Sequence, residues 1–206
     1  MWSLLSRQAQ VSVIVFVTLL AAASVGPALS AATGQTMSLI KLASPIALFI
    51  GVVLTTVAGL IWRWLWRSVP ALGRLVFPDL NGRWDGTLVS NWIDPATNKG
   101  VAPIPTTIRI YQTLLGVTVR MKTGESTSLS SRAFLVPFRE AGLFRVWYSY
   151  DNSPRAQVRS RSRPHEGVAY LDFELSAAGE LKGRYYTDRG TMGDIILTRS
   201  SDDPNA

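Results

Sequence analysis

The chain of 206 residues contains no cysteine, a single histidine and, before Asp79, neither aspartate nor glutamate. Without cysteine there are no disulfides, thiol nucleophiles or thiolate metal sites, which suits a reducing cytosol better than secretion. A hydrolase needs a nucleophile with its base, and a metal enzyme needs a cluster of ligands. The one histidine, His165, stands beside Pro164 next to a basic loop, and no serine or aspartate falls in an elbow or triad pattern. A phosphate-cradling Gly-Lys loop is also missing. No catalytic residue, metal site or cofactor site is therefore nominated, and His165 reads as a solvated surface side chain.

Charge is sparse and unevenly spread. Only 17% of residues are charged, yet 21 Lys and Arg against 14 Asp and Glu give a formal +7. Arg7, Lys41, Arg63, Arg67 and Arg74 precede Asp79 with no carboxylate to balance them, and beyond it the two signs nearly cancel. The basic excess thus belongs to the flanks of apolar segments, and it does not call for DNA or RNA as a partner.

Those apolar segments define the first third of the chain. Leu42 to Trp62 carries no charge, and at about 1.5 Å per residue a helix of this length matches the thickness of a bilayer core. It ends in Trp62-Arg63-Trp64-Leu65-Trp66-Arg67, tryptophans for the headgroup layer alternating with cations that favour the cytoplasmic side. A second uncharged stretch runs from Gln8 to Ile40 around the core Val11 to Val25. It reads as a first transmembrane helix, or else as a cleaved signal ending near Ala28-Leu29-Ser30-Ala31. In either case the cations after the second helix place the C-terminal part in the cytoplasm, and a retained first helix makes the chain a multi-pass membrane protein. Gly51, Thr55 and Gly59 recur every four residues along one helix face. Small residues let lipid-solvated helices approach closely, so this face either closes the helical hairpin or mediates oligomerisation.

Residues 1–67 are thus expected to form a two-helix transmembrane region, 68–78 a juxtamembrane joint and 79–206 a cytoplasmic ligand-binding domain. Pro70, Gly73 and Pro78 argue against a continuous helix through the joint. Beyond it come eight short alternating segments, Gly82–Asn91, Thr106–Leu114, Gly116–Thr123, Leu129–Phe138, Leu143–Tyr150, Gly167–Leu175, Glu180–Thr187 and Gly193–Arg199, rich in β-branched and aromatic residues. Joined mostly by short turns, they predict an antiparallel up-and-down, lipocalin-like barrel of about eight strands, because closure removes exposed edges. Such a barrel is just wide enough for side chains or one small ligand. Alternation groups Trp84 with Gly86 and Leu88, Val119 with Met121, and Leu181 with Tyr185, and Trp84 is assigned to the lumen.

Two polar segments stand out. The run Arg155 to Arg163 is the densest in cations and reads as a solvated loop, a contact for anionic lipid, or a flap over a phosphate-bearing ligand. The segment Gly183 to Gly193 (GRYYTDRGTMG) spans the last hairpin and offers tyrosines, threonine hydroxyls and arginines at a barrel rim. Tyrosine can stack on a nucleobase and arginine can fork onto phosphate, although an ordinary Asp-Arg turn would read the same way.

The order of these features resembles the two-transmembrane β-barrel effectors of CBASS, the bacterial cyclic-oligonucleotide anti-phage system. Two apolar segments, a joint, the opening Asn81-Gly82-Arg83-Trp84-Asp85-Gly86 and the closing Tyr185-Tyr186-Thr187-Asp188-Arg189-Gly190-Thr191, then Gly193-Asp194-Ile195-Ile196-Leu197, carry the resemblance. It implies a receptor for a cyclic dinucleotide supplied by a partner nucleotidyltransferase. It also implies ligand-driven homo-oligomerisation and disruption of the inner membrane, an abortive infection. A cyclic dinucleotide has two phosphates and two bases. On that ligand, Arg189 is the candidate for phosphate, Tyr185 for stacking, Thr187 and Thr191 for polar contacts, and Trp84 for the lumen wall. Arg109, Tyr111 and Arg120 are further candidates. Two other readings remain, a membrane-tethered lipocalin-like carrier of an apolar ligand and a barrel that docks another protein. The docking barrel is expected to tolerate filling of its lumen by Gly86→Trp.

Overall fold

A computed structural model of the chain describes residues 12–13, 15–16, 19–20, 23, 31, 52, 56–57, 59–94, 97–160 and 162–206. It divides into two compact units, one before Val69 and one from Val69 to Ala206.

In the first unit residues 59–68 are helical. Trp62 and Trp66, one turn apart, meet edge to face at 5.8 Å. Among the described residues no helix is long and apolar enough to cross a membrane. The two transmembrane helices expected from the sequence therefore have no counterpart among them, and most of both apolar stretches, with Gly51 and Thr55, lies outside the described residues. Gly59 is helical, with no described atom near the place a side chain would occupy.

The joint contains a short helix, Pro70–Leu75. Val69 has left the helical conformation, as the residue before a proline tends to, and Pro70 sits in the first turn, where its missing N–H leaves no helical bond unmade. The predicted break is there, but it is one residue wide and a new helix starts at once.

Ten strands follow: β1 (Gly82–Ser90), β2 (Ile93–Asp94), β3 (Lys99–Gly100), β4 (Ile104–Gln112), β5 (Val117–Thr123), β6 (Ser126–Phe138), β7 (Leu143–Pro154), β8 (His165–Glu174), β9 (Glu180–Thr187) and β10 (Met192–Ser201). Eight of them close into an antiparallel barrel in which each strand from β4 to β10 pairs with the next and β1 pairs with both β10 and β4. This is the up-and-down barrel that the alternation predicted, with every candidate segment in place. The small β2–β3 hairpin, an excursion between β1 and β4, is an addition that the sequence did not announce.

The core is the barrel interior. Trp84, Leu88, Ile108, Ile110, Val119, Met121, Val146, Leu171, Leu181, Ile195 and Leu197 all point inward and are buried. Their hydrophobic burial is the main stabilising term, roughly 1.5–3 kcal/mol for each large side chain. One end of the barrel, where the chain enters, is plugged. Phe77 and Leu80 are 2% and 0% exposed, and the indole N–H of Trp84 donates to the Leu80 carbonyl at 3.2 Å.

Two buried amides tie this plug to the wall. Gln112 Oε1 accepts from the Leu80 N–H at 2.7 Å, and its Nε2 donates to the Pro78 carbonyl at 2.9 Å. Asn81 Oδ1 accepts from the Gln112 N–H at 2.7 Å, and its Nδ2 donates to the Gln112 carbonyl at 2.9 Å. Burying either amide without these partners would be costly, so the plug has one seating.

Candidate functional site

At the other end of the barrel β1, β5, β7 and β9 finish and β4, β6, β8 and β10 begin, and here the interior stays open. A cavity of about 520 Å3 occupies it, within the range of roughly 300–1,000 Å3 usual for small-molecule sites. Leu88, Ile104 and Met121 form an apolar inner wall, and Trp92 and Val101, from the excursion between β1 and β4, border the mouth.

The polar wall comes from the last turn of the barrel and the strands facing it. Tyr185 donates its hydroxyl proton to Ser90 Oγ at 2.8 Å, bridging β9 and β1. Thr187 and Thr191 face each other at 2.7 Å across the β9–β10 turn, and the Thr187 N–H donates to the Thr191 carbonyl at 3.0 Å. This turn carries Arg189, whose Nη2 lies 3.5 Å from His165 Nε2. His165 Nδ1 lies 3.2 Å from the Arg163 carbonyl and 3.3 Å from Asn152 Nδ2. With its proton on Nδ1 the ring donates to the carbonyl and accepts from Arg189.

Two inward glycines make room for the aromatic walls. A Cβ at Gly167 would strike the Tyr150 ring, and one at Gly193 would strike the Tyr185 ring, besides the backbone oxygens of Tyr186 and Val89 respectively. Only glycine lets these rings lie flat against the neighbouring strand.

Burial pushes the Tyr150 phenol well above the ordinary tyrosine range, with Tyr185 and Asp188 adding to the effect and Arg189 opposing it. Burial also raises Tyr185, against the bond to Ser90 and the charge of Arg189. Both stay protonated donors with intact rings at neutral pH. For His165 burial works the other way and holds the imidazole below its ordinary range; the Arg163 carbonyl offsets part of this, and the Arg189 charge reinforces it. Tyr148 Oη and Ser128 Oγ are buried with no hydrogen-bond partner among the described residues.

Tyr185, Thr187, Arg189 and Thr191 thus meet at one cavity wall. Trp84 points inward, as its alternation with Leu88 required, but it lies at the plugged end, is 0% exposed and does not border the cavity. Arg109, Tyr111 and Arg120 point outward, because Ile108, Ile110, Val119 and Met121 occupy the inward positions of β4 and β5. They share no wall with the other four. Filling the lumen through Gly86 is also ruled out, since a Cβ there runs into the backbone oxygen of Ile196 and would break the β1–β10 ladder instead.

Sequence reasoning passed over Tyr150, Asn152, His165 and Trp92. The alternation Phe144, Val146, Tyr148, Tyr150, Asn152 was readable, but β7 runs on to Pro154, beyond the expected end at Tyr150. His165 opens β8 and pairs with Asn152 across the ladder, so it is a wall residue and not a solvated loop residue. The basic run before it forms a short turn, Ala156–Val158, and Ser162 borders the cavity.

Comparison with known proteins meets this geometry directly. Residues 75–199 match the sequence profile of the family described as Cap15, cyclic dinucleotide receptor domain. The chain belongs to this family. The match takes in the whole barrel except the last two residues of β10, and with it every residue of the cavity wall. Cap15 is a CBASS effector, so the resemblance read from the opening and closing motifs is correct. Among the described residues no group of three His, Cys, Asp or Glu is placed to hold a metal. No curated protein matches the chain.

Proposed function

We propose that this protein is an anti-phage defence effector whose barrel takes a cyclic dinucleotide into the open-ended cavity. The observation that carries the reading is a cavity of ligand size that brings a family-matched chain's Tyr150, Tyr185 and Arg189 to one mouth. The two rings offer stacking faces for bases, and Arg189 offers a fork for a phosphate. Thr187, Thr191 and Asn152 supply hydroxyl and amide groups for sugar and base edges. The protein itself needs no cofactor in this scheme; the dinucleotide is the activating ligand, made by a partner nucleotidyltransferase.

In the same proposal the apolar segments before Arg63 anchor the chain in the bacterial inner membrane with the barrel in the cytoplasm. Ligand binding drives self-association, and the Gly51, Thr55 and Gly59 face brings helices together until the bilayer fails. The apolar inner wall of Leu88, Ile104 and Met121 favours one other reading, a carrier of an apolar ligand.

The deciding experiment titrates the full chain in neutral detergent micelles with a panel of radiolabelled cyclic dinucleotides. Submicromolar binding of one member, lost in Arg189→Ala, supports the receptor. Binding of a fatty acid that survives Arg189→Ala, with no dinucleotide bound, selects the carrier. Dye release from liposomes holding the full chain, with and without the bound dinucleotide, tests the membrane step separately.

A further inference from the structure

The outward arginines of β1, β4 and β5 form a row. Arg83 is paired across the ladder with Arg109, and Arg109 with Arg120, so three guanidinium-bearing residues stand side by side on adjacent strands. Lys122 stands next to them, opposite Thr107. Like charges directly opposed across a ladder destabilise a sheet. A barrel gains nothing in stability from three in a row.

The compensation within the row is small. Asp85 is the only acid in the groove lining; it pairs with Arg83 at 3.0 Å and accepts from Thr107 at 2.6 Å. The Ala206 main-chain oxygen accepts from Arg83 Nη1 at 3.5 Å and from Arg109 Nη2 at 3.3 Å, which shows where an anionic oxygen can sit. Arg109 Nε is buried with no hydrogen-bond partner among the described residues. The side chains of Arg120 and Lys122 make no hydrogen bond or ion pair among the described residues. Arg83, Arg109 and Lys122 line an exterior groove of about 380 Å3 floored by Thr106 and Thr107.

We infer that this groove is a second, exterior binding site for a phosphate group. A phosphate has three or four oxygens to share, guanidiniums meet them in a planar fork, and Lys122 adds a point charge. Bound in the groove, it relieves the repulsion along the row. The site is distinct from the lumen. Arg109 and Arg120 point away from it, although Pro105, Thr123 and Gly124 border both hollows at the rim. The phosphate can belong to a dissolved ester or ion, or to an anionic lipid headgroup, since both present the same oxygens.

The test uses the full chain in neutral detergent micelles, titrated calorimetrically with inorganic phosphate and, separately, with dihexanoyl phosphatidylglycerol. The variant Arg120→Ser with Lys122→Ser removes two exposed side chains that hold nothing in the fold, so it keeps the barrel intact. Wild type and Arg189→Ala are expected to bind at least one probe equally, and the double serine variant to bind it about tenfold more weakly. Tighter binding of the lipid assigns the headgroup as the source, and tighter binding of inorganic phosphate assigns a dissolved phosphate. Equal affinity of wild type and the double variant for both probes, or no binding of either, overturns the site. Loss of binding in Arg189→Ala with the double variant unaffected overturns it too, by moving the phosphate to the lumen.

Discussion

The guanidinium of Arg199 lies 4.4 Å from the centroid of the Trp84 ring and donates to the Asp79 carbonyl at 2.7 Å and the Asn81 carbonyl at 3.3 Å. The outer end of β10 thereby clamps the segment that plugs the barrel, and Asp202 holds the clamp in turn at 2.9 Å. Arg199→Ala removes the cation–π contact and two charge-assisted bonds to carbonyls, a loss of about 2–3 kcal/mol. Arg199→Lys is expected to recover less than half, because an ammonium cannot reach two carbonyls and cover a ring at once. Thermal unfolding of both variants beside wild type measures the difference.

Gln112 tests the plug from the opposite wall. Gln112→Leu keeps the volume but strands the Leu80 N–H and the Pro78 carbonyl, which costs about 3 kcal/mol. The cavity end is remote from this change, so ligand affinity at a temperature where the variant is folded is expected to stay within about twofold of wild type. A large loss of affinity would show that plug and cavity act as one unit.

At the cavity Arg189→Ala is expected to weaken the dinucleotide by about 10- to 100-fold through loss of the phosphate fork. Tyr185→Phe keeps the ring and loses only the bond to Ser90, so its effect is small, whereas Tyr185→Ala loses a stacking face worth about 1–3 kcal/mol. Equilibrium binding of the three variants separates phosphate recognition from stacking. Equal losses for Tyr185→Phe and Tyr185→Ala would mean that the hydroxyl bridge matters and the ring does not.

His165 couples the cavity to pH. Burial lowers its pKa in the folded barrel, so the unfolded chain takes up the proton more readily. Stability tied to the neutral ring is complete above the ordinary histidine value and is lost as pH falls through it toward the lower folded value. Wild type is expected to lose melting temperature more steeply than His165→Gln between about pH 7 and pH 5. A phosphate bound at Arg189 favours the protonated ring, so ligand affinity should rise on acidification while apo stability falls. Calorimetric titration in two buffers of different ionisation enthalpy reads the proton taken up on binding. The same proton count for His165→Gln would place the titrating group elsewhere.

The glycines behind the aromatic walls give a further expectation. Gly193→Ala places a methyl group where the Val89 carbonyl oxygen and the Tyr185 ring already lie. The neighbouring backbone cannot yield, so the barrel is expected to lose several kcal/mol, about 3 or more, of stability and Tyr185 to leave its position against Ser90. Near-ultraviolet circular dichroism and denaturant unfolding report the two effects separately.

The sequence by itself determined the eight strands of the barrel, their order, the closure of the sheet and which residues face inward, because a strand alternates with a period of two and an open edge is costly. It also brought Tyr185, Thr187, Arg189 and Thr191 into one site, since a single tight turn joins them. The tertiary structure decided depth along the barrel. Trp84 and Tyr185 share the inward face, yet one is sealed under Arg199 while the other borders the cavity. Alternation fixes the side of the sheet, whereas the stagger between distant strands fixes the height, and that stagger is set only when β1 meets β10 and β4. Alternation along β4 and β5 turns Arg109, Tyr111 and Arg120 to the outer wall, whereas the pairing of β7 with β8 carries His165 across from Asn152, a contact between strands that the linear chain does not announce.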